Sequence, residues 1–277
     1  MVAFSADKEI FSMAAEFSSE VLWGNIERLR NAEPSPLVHC IMNTVAQNDC
    51  ANALLAVGAK PCMAQSPAES REITSQAAAL VINMGTLSED RKNAMFSSGV
   101  AANKAGIPCI LDPVGVKGSE YRRLTFEALL GRVKFTVIKG NLNEMSYVAQ
   151  CYSNDPQETA LLAARGTNSV GVVTGECDYI SDGMCTYRIE NGTPLLSKVT
   201  GTGCMTGALI GAFSTVTDGL TAALCGVSLM DICGEIAAKG FCGTGTFRVK
   251  LMDMMSQISR EQIIGRLKAD KIWEVKL

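Results

Sequence analysis

Short apolar runs alternate along the chain with longer segments whose apolar residues recur at helical spacing. Strands that are apolar throughout are buried on both faces, so the alternation predicts β-α-β units and a mostly parallel sheet. We therefore expect an α/β fold of three layers, with helices on both faces of a central sheet. The predicted strands lie in PLVHCIM, KPCMA, ALVINMG, IPCILDPVG, FTVIKGN and SVGVVTG.

The two ends of the chain depart from this alternation. About 30 N-terminal residues are predicted to form an amphipathic helix. The segment GVVTGECDYISDGMCTYRIENG predicts a short antiparallel edge, and the chain after it is predicted to be largely helical. No fixed-period repeat or Pro/Gly-rich linker divides the chain, so we expect one domain, residues 36–277, preceded by a helical extension of the same domain at 1–35.

Composition narrows the class of partner. The 277 residues are 47% hydrophobic and 19% charged, enough for a sizeable core, and 25 basic against 28 acidic residues give a net charge of -3. Without a block of Lys or Arg, a nucleic-acid partner is not expected, and a small-molecule substrate is favoured.

The eleven cysteines form no C-x-x-C pair and are scattered, which argues against a zinc site or a disulfide framework. The N-terminus lacks the basic and apolar regions of a signal peptide, and no uninterrupted apolar stretch approaches the ~18 residues of a membrane span. We expect a cytoplasmic protein with reduced thiols and no membrane partner.

Polar and glycine residues follow the predicted strands, where ligands bind in parallel α/β sheets. In VTGTGC, Gly201 and Gly203 allow close backbone approach, and the helix that follows would direct free N–H groups at an anion. A tight strand-to-helix turn without a ligand is the alternative interpretation of such glycines alone. The spacing excludes G-x-G-x-x-G, and no P-loop motif occurs.

Asp112 and Glu144 also follow apolar runs, which would place two carboxylates on one edge of the sheet. Mg²⁺ is commonly held by one or two carboxylates together with phosphate oxygens and water. Each acid alone is also compatible with a helix cap or a solvated turn, and Glu144 stands three residues after Asn141 as a capping residue would.

Several motifs in order resemble the hydroxyethylthiazole kinase family of the ribokinase-like superfamily. They are DPVGV, KGNLNE, VVTGECDYISDG, NGTPLLSKVTGTGC and GTGTFRVKLMD, and the resemblance runs from about Pro36 to Met255. PLVHCIMN and ANALLAVGAKPCMA agree with it. The resemblance implies ATP- and Mg²⁺-dependent phosphorylation of 4-methyl-5-(2-hydroxyethyl)thiazole, a thiamine salvage step, by a homotrimer with its thiazole pocket at a subunit boundary.

The resemblance also implies roles for individual residues. The family's substrate contacts fall at Asn43, Met63 and Gly201, its nucleotide contacts at Arg122 and Thr174, and its metal-associated acids at Asp112 and Glu144. Cys204, with Gly203 beside it, takes the position nearest the attacking hydroxyl.

Some of these roles compete with ordinary structural ones. Met63 is equally compatible with a core position, and Thr174 with a hydroxyl in a turn. The neighbouring Arg123 could make the phosphate contact that is assigned to Arg122. His39, the only histidine, lies inside an apolar run and is interpreted as a hydrogen-bonded structural residue rather than a general base.

The chain departs from the family pattern at positions that usually hold Thr, Gly, Arg, Ser and His. These are Met42, Lys117, Lys139, Asn143 and Thr193. Met42 and Lys117 leave the details of the thiazole and nucleotide loops open, whereas the acids, the glycine turn and Cys204 are unaffected.

Two other functions remain as alternatives. One is another ribokinase-like kinase, for hydroxymethylpyrimidine or pyridoxal, in which an aspartate is usual where Cys204 stands. The other is a non-catalytic thiazole- or nucleotide-binding protein, which would not need both acids.

For Cys204, a helix N-terminus predicts a lowered thiol pKa and some thiolate near neutral pH. The alternative is a small residue that merely fits the helix start.

Overall fold

The apolar runs form the strands of a nine-stranded sheet in a computed structural model, which describes residues 16–151, 153–240 and 243–275. The order across the sheet is β2-β1-β3-β4-β5-β6-β7-β8-β9. The strands are β1 (Leu37–Ile41), β2 (Lys60–Cys62), β3 (Ala79–Asn83), β4 (Cys109–Asp112), β5 (Val137–Asn141), β6 (Val170–Thr174), β7 (Asp178–Ser181), β8 (Cys185–Ile189) and β9 (Ala269–Glu274).

Strands β1 to β6 pair in parallel, and β7 to β9 add an antiparallel edge. The six predicted parallel strands and the predicted antiparallel edge are therefore confirmed. The remaining chain is largely helical, as expected, except for the edge strand β9, which was not predicted. Its sequence, ADKIWE, mixes polar and apolar side chains at the sheet edge, where none of them is buried, so it lacks the continuous apolar run of the inner strands.

Helices cover both faces of the sheet. They are α1 (Ser19–Arg30), α2 (Gln47–Ala56), α3 (Ser70–Ser75), α4 (Glu89–Ala105), α5 (Glu120–Leu130), α6 (Leu142–Val148), α7 (Pro156–Thr167), α8 (Thr202–Phe213), α9 (Gly219–Ala237), α10 (Thr244–Gln257) and α11 (Arg260–Ile264), with 3₁₀ turns at Val116–Gly118 and Pro194–Lys198. Successive strand residues point to opposite faces, so Val81 packs with α8 and α9, whereas Leu80 and Ile82 pack with α4 and α5. The three predicted layers are present.

Helix α8 is fitted closely between the sheet and α9 by two glycines. A Cβ on Gly211 of α8 would lie 2.4 Å from Cγ2 of Val81, and one on Gly226 of α9 would lie 2.6 Å from Cγ1 of Ile210. Both distances are far below van der Waals contact, so neither position has room for a side chain. The glycines allow α8 to approach the sheet and α9 more closely than any other residue would permit.

The predicted N-terminal helix is confirmed over α1, and residues 1–15 lie outside the described part of the chain. Leu22, Ile26 and Leu29 of α1 are fully buried in the same core as α8 and α9. By length and composition α9 could cross a membrane, but 78% of its apolar window is buried inside the protein. That burial is typical of a core helix, and the apolar composition of α9 follows from it.

Candidate active site

Four parallel strands end in polar residues at one edge of the sheet. Asn83, Asp112, Asn141 and Thr174 are the last residues of β3, β4, β5 and β6. The register places Asn83 opposite Asp112, and Asn141 opposite Thr174. The predicted clustering at the carboxyl ends of the strands is therefore present.

Helix α8 begins at this edge with the glycine turn. Gly201 precedes the first residue of the helix in a left-handed conformation, φ 91°, and has no capping side chain. A Cβ on Gly201 would lie 3.1 Å from Cβ of Ala46, so both the backbone angle and the neighbour favour glycine. The first-turn N–H groups of a helix have no intrahelical acceptor, and the positive end of the helix dipole lies with them. The turn has the form of an anion site.

Cys204 is the third residue of α8, and its sulfur receives hydrogen bonds from two amides. Asn43 Nδ2 donates to Sγ at 3.1 Å and Asn83 Nδ2 donates to it at 3.3 Å. The Asn43 carbonyl oxygen accepts from the backbone N–H groups of Val45 and Ala46, at 3.0 and 2.9 Å. Asn43 and Cys204 thus come together as predicted, although the amide of Asn43 is fully engaged within the protein.

Asp112 lies on the other side of Asn83 and is 2% exposed. Its Oδ2 accepts from Asn83 Nδ2 at 2.9 Å and lies 3.6 Å from Lys139 Nζ, while its buried Oδ1 has no protein partner. Lys139 Nζ also donates to the carbonyl oxygen of Gly203 at 3.0 Å. The buried ammonium group of Lys139 thereby joins Asp112, the predicted metal ligand, to the glycine turn. The sequence did not indicate this link.

The charges of this pair follow from its burial. Burial raises the pKa of Asp112 to about 6, against the opposing effect of Lys139. Burial by itself would lower the pKa of Lys139, but the nearby Asp112, Cys204 and Glu144 raise it overall. Above pH 6 the two groups therefore form a buried ion pair.

The expectation of a lowered pKa for Cys204 is wrong. Burial, and after it the charge of Asp112, raises the pKa of the thiol, outweighing Lys139 and the two amide donors that lower it. The sulfur is half-buried behind the turn rather than open to water, so loss of solvation dominates over the helix terminus. At neutral pH Cys204 is a thiol.

Glu144 fulfils the capping role that its spacing from Asn141 allows. Its Oε2 accepts from the Asn141 N–H at 3.0 Å, the Asn141 side chain accepts from the Glu144 N–H, and the pair forms a capping box for α6. Its Oε1 accepts from the Gly115 N–H at 2.8 Å, which ties the loop after β4 to the end of β5. Each carboxylate oxygen retains one lone pair, so a cap and a metal contact are compatible.

Arg122, rather than Arg123, faces the strand-end loops. Its Nη1 donates to the carbonyl oxygens of Met84 and Val114, at 2.6 and 2.8 Å, and no carboxylate pairs with it among the described residues. Thr174 Oγ1 donates to the Gly140 carbonyl oxygen at 3.3 Å, and a pocket of about 290 Å³ opens beside it. The guanidinium therefore lies at the loops that follow β3 and β4, and this pocket lies at the end of β6.

Met63 is not joined to this cluster by any hydrogen bond among the described residues. It follows β2 and packs, partly buried, against the core, and it takes no part in the hydrogen bonds of the strand ends. His39 holds this segment, since its Nε2 is 2.8 Å from the carbonyl oxygen of Ala64 and its Nδ1 is 2.8 Å from Thr74 Oγ1. Burial lowers the pKa of His39. The interpretation of His39 as a buried structural residue is confirmed.

Lys117 and Asn143, two of the residues that depart from the family pattern, contact each other. Lys117 Nζ donates to Asn143 Oδ1 at 2.8 Å, at the mouth of a larger pocket of about 630 Å³ between α5 and α6. That pocket contains none of the predicted site residues.

Comparisons with known proteins give a consistent result. The model of the hydroxyethylthiazole kinase family matches residues 26–261. A hydroxyethylthiazole kinase of Ruminiclostridium cellulolyticum is 44% identical over 247 residues, which are 83% of this chain and 90% of the relative. The solved structure of the hydroxyethylthiazole kinase protein from Pyrococcus horikoshii superposes with a TM-score of 0.86 at 37% identity, covering 92% of this chain and all of that one. A ribokinase-like superfamily protein from Enterococcus faecalis, at 12% identity and a TM-score of 0.61 over 90% of this chain, shares the fold.

Proposed function

The chain belongs to the hydroxyethylthiazole kinase family, and on this premise we propose that it transfers the γ-phosphoryl group of ATP to the hydroxyl of 4-methyl-5-(2-hydroxyethyl)thiazole. The product would be the thiazole phosphate, and the step belongs to thiamine salvage. One arrangement carries the proposal. Asn83 hydrogen-bonds to both Cys204 and Asp112, and Lys139 links Asp112 to the glycine turn at the Gly203 carbonyl.

The turn at Gly201 and Gly203 is proposed to bind the transferring phosphoryl group. Its N–H groups would face the phosphoryl oxygens, and its dipole would offset their charge. Lys139, fixed on the Gly203 carbonyl, adds a positive charge behind the turn. Phosphoryl transfer depends mainly on positioning and on neutralising charge, which is what these groups supply.

The hydroxyl is proposed to lie against Cys204, between Asn43 and the turn. As a thiol, Cys204 can orient the hydroxyl by hydrogen bonding, and only its thiolate form could accept the proton. A late proton transfer is compatible with phosphoryl transfer, because little charge develops on the attacking oxygen before the bond to phosphorus forms. Met63 is proposed to contribute to the thiazole pocket through the segment that His39 fixes.

Asp112 and Glu144 fit Mg²⁺ by their chemistry. Oδ1 of Asp112 is buried without a partner, and the Glu144 oxygens keep free lone pairs, so both can offer hard oxygen donors. No group of three or more His, Cys, Asp or Glu in the described residues could hold a metal by itself. Phosphate oxygens and water would therefore complete the shell. Mg²⁺ would neutralise charge on the phosphates.

The nucleotide is proposed to contact Arg122, at the loops that follow β3 and β4, and Thr174, at the end of β6. A guanidinium without a carboxylate partner suits a phosphate. We further propose a cytoplasmic homotrimer in which residues 36–277 form the kinase domain and residues 1–35 its extension. Sedimentation of purified protein would test the trimer, and a mass of one chain with full activity would contradict it.

The decisive experiment measures ADP release by purified protein with Mg²⁺, ATP and the thiazole alcohol, and identifies the product by mass spectrometry. Hydroxymethylpyrimidine and pyridoxal are tested in parallel, and chelation of the metal serves as a control. We expect turnover with the thiazole that stops when Mg²⁺ is removed. Turnover with either of the other alcohols and none with the thiazole would refute the proposal, and binding without turnover would indicate a non-catalytic protein.

A further inference from the structure

The side chain of Asn83, at the end of β3, hydrogen-bonds to three other side chains of the site: Asn43, Asp112 and Cys204. Its side chain is fully buried. Its Oδ1 accepts from Asn43 Nδ2 at 3.0 Å and from the Gly85 N–H at 2.9 Å. Its Nδ2 donates to Asp112 Oδ2 at 2.9 Å and to Cys204 Sγ at 3.3 Å.

These contacts fix the orientation of the amide. An amide has two N–H donors and a carbonyl oxygen with two lone pairs, and all of them are used here. If the amide were flipped, its oxygen would face the Asp112 carboxylate and the Cys204 sulfur, and its NH₂ group would face the Gly85 N–H. The Gly85 donor and the Asp112 acceptor therefore allow only one orientation.

The three side chains that Asn83 contacts come from distant parts of the chain. Asn43 follows β1, Asp112 ends β4, and Cys204 lies in the first turn of α8. No other side chain among the described residues hydrogen-bonds to all three. The separation between the acid and the thiol therefore depends on this amide.

We propose that Asn83 is a positioning residue of the phosphoryl-transfer site, holding Asp112 and Cys204 at a fixed separation through its two N–H groups and Asn43 through its carbonyl oxygen. The inference rests on the proposed kinase function. Asn83 itself touches neither phosphate nor hydroxyl in this arrangement; it acts through the residues that do. A displacement of about 1 Å in a catalytic group can reduce the rate about 10²-fold, so the loss of this amide should affect turnover strongly.

The test compares Asn83→Asp with a matched variant, Asn103→Asp. Asn103 also joins two segments by its amide, donating to the Lys134 carbonyl oxygen at 2.8 Å and accepting from the Lys134 N–H at 2.7 Å, but at the C-terminal end of α4, away from the site. In each variant the accepting oxygen is kept and the NH₂ group is replaced by a second carboxyl oxygen. Beside the buried Asp112, the carboxyl of Asn83→Asp can hold at most one shared proton, so it cannot replace both N–H groups that Asn83 donates to Asp112 and Cys204. Tm, kcat and the KM values for both substrates are measured on folded protein.

For Asn83→Asp we expect kcat to fall about 10- to 100-fold. The KM for the thiazole should stay within about threefold, because the oxygen that holds Asn43 remains. For Asn103→Asp we expect a lower Tm with unchanged kcat. Asn83→Ser, which is too short to reach any of the three side chains, is the second variant and should lower kcat and raise the KM for the thiazole together.

The results separate the two proposals. An active wild-type enzyme whose Asn83 variants lose only Tm, as Asn103→Asp does, would overturn the positioning role and leave the kinase assignment intact. Wild-type protein that does not phosphorylate the thiazole would refute the assignment and the inference with it. If Asn83→Asp does not fold, the kcat and KM values of Asn83→Ser decide the question.

Discussion

Asp178 of β7 and Asp231 of α9 form a buried carboxyl pair whose effect on stability can be measured. The two residues are 5% and 7% exposed, their side chains hydrogen-bond to each other, and Asp178 Oδ1 also accepts from the Gly175 N–H at 2.9 Å. Two carboxylates in contact cannot both be ionised in such surroundings, so the pair holds a proton. We predict that Asp231→Asn stabilises the protein at alkaline pH and has little effect in acid.

The sign follows from the pKa shifts. Burial, and for Asp231 also the neighbouring Asp178 and Glu235, raises both pKa values above 3.8. At Asp178 the hydrogen bonds with Asp231 and with the Gly175 N–H oppose the shift, and Lys139 adds to this opposition. The folded state then keeps a proton that the unfolded chain releases above pH 3.8, so the pair's contribution to stability is complete in acid and is lost as the pH rises through the folded-state pKa. The amide introduced by Asp231→Asn would donate a hydrogen that does not titrate, so the variant keeps the contact at every pH.

The size of the effect follows from the bond that is preserved. A hydrogen bond to a charged acceptor contributes about 1.5–3 kcal/mol. For a chain of this size about 1 kcal/mol corresponds to roughly 2–4 °C in Tm. We therefore expect the difference in Tm between Asp231→Asn and wild type to be near zero below pH 3.8, to grow as the pH rises above this value, and to reach several degrees at alkaline pH.

The assay is thermal unfolding over a pH series, with Asp253→Asn, at an exposed position on α10, as the control for removing one negative charge. The control should show the same small offset at every pH. If Asp231→Asn also shows a constant offset, or is destabilised throughout, the pair does not share a proton and the reasoning is refuted.

Three further predictions concern the site and its support. Glu144→Gln should lower kcat by orders of magnitude if the carboxylate holds Mg²⁺, and should cost about 1–2 kcal/mol of stability because one of its two N–H contacts is lost; kcat at the wild-type level in folded protein would exclude the metal role. If the Cys204 thiolate accepts the proton, kcat should rise with pH between about 7 and 9, because the raised pKa of the thiol leaves little thiolate at neutrality. Cys204→Ala should then lower kcat roughly 10²-fold, and Cys204→Asp should keep substantial activity with a flatter pH profile. Wild-type kcat in Cys204→Ala across this pH range would show that the thiol only packs. Gly211→Ala should destabilise the protein by about 1–3 kcal/mol, measured by denaturant unfolding, because its Cβ would overlap Val81; an unchanged midpoint would show that α8 can shift.

The sequence predicts the strands and the polar strand ends because both are local patterns. A continuous apolar run identifies a strand buried on both faces, and the residue after it must lie at the carboxyl edge. The order and register of the strands are not local. Asn83 and Asp112 become neighbours only because β3 pairs with β4 in one register, and Asn83 meets Cys204 across 121 positions of the chain.

The thiol illustrates a second limit of sequence reasoning. A helix start next to Cys204 is visible in the sequence and predicts a lowered pKa, whereas the burial that raises the pKa depends on the whole fold. Lys139 stands out in the sequence only as an unusual residue, because its partners, Asp112 and the Gly203 carbonyl, lie on other elements. Strand β9 is not predicted because it is an edge strand with both polar and apolar residues, and its sequence therefore lacks the continuous apolar run that identifies the inner strands.

The close fit of α8 between Val81 of the sheet and Gly226 of α9 has a consequence for motion during catalysis. Because Gly211 brings the backbone of α8 close to Val81, and Gly226 brings the backbone of α9 close to Ile210, we expect direct contact to oppose movement of α8 toward either neighbour. We therefore expect the turn at its start to keep its position during a catalytic cycle, so that its N–H groups need little reorientation when charge develops on the phosphoryl group. If the site closes over its substrates, we expect the movement in the loops that follow the strands, whereas the proposed anion-binding end of α8 keeps its place.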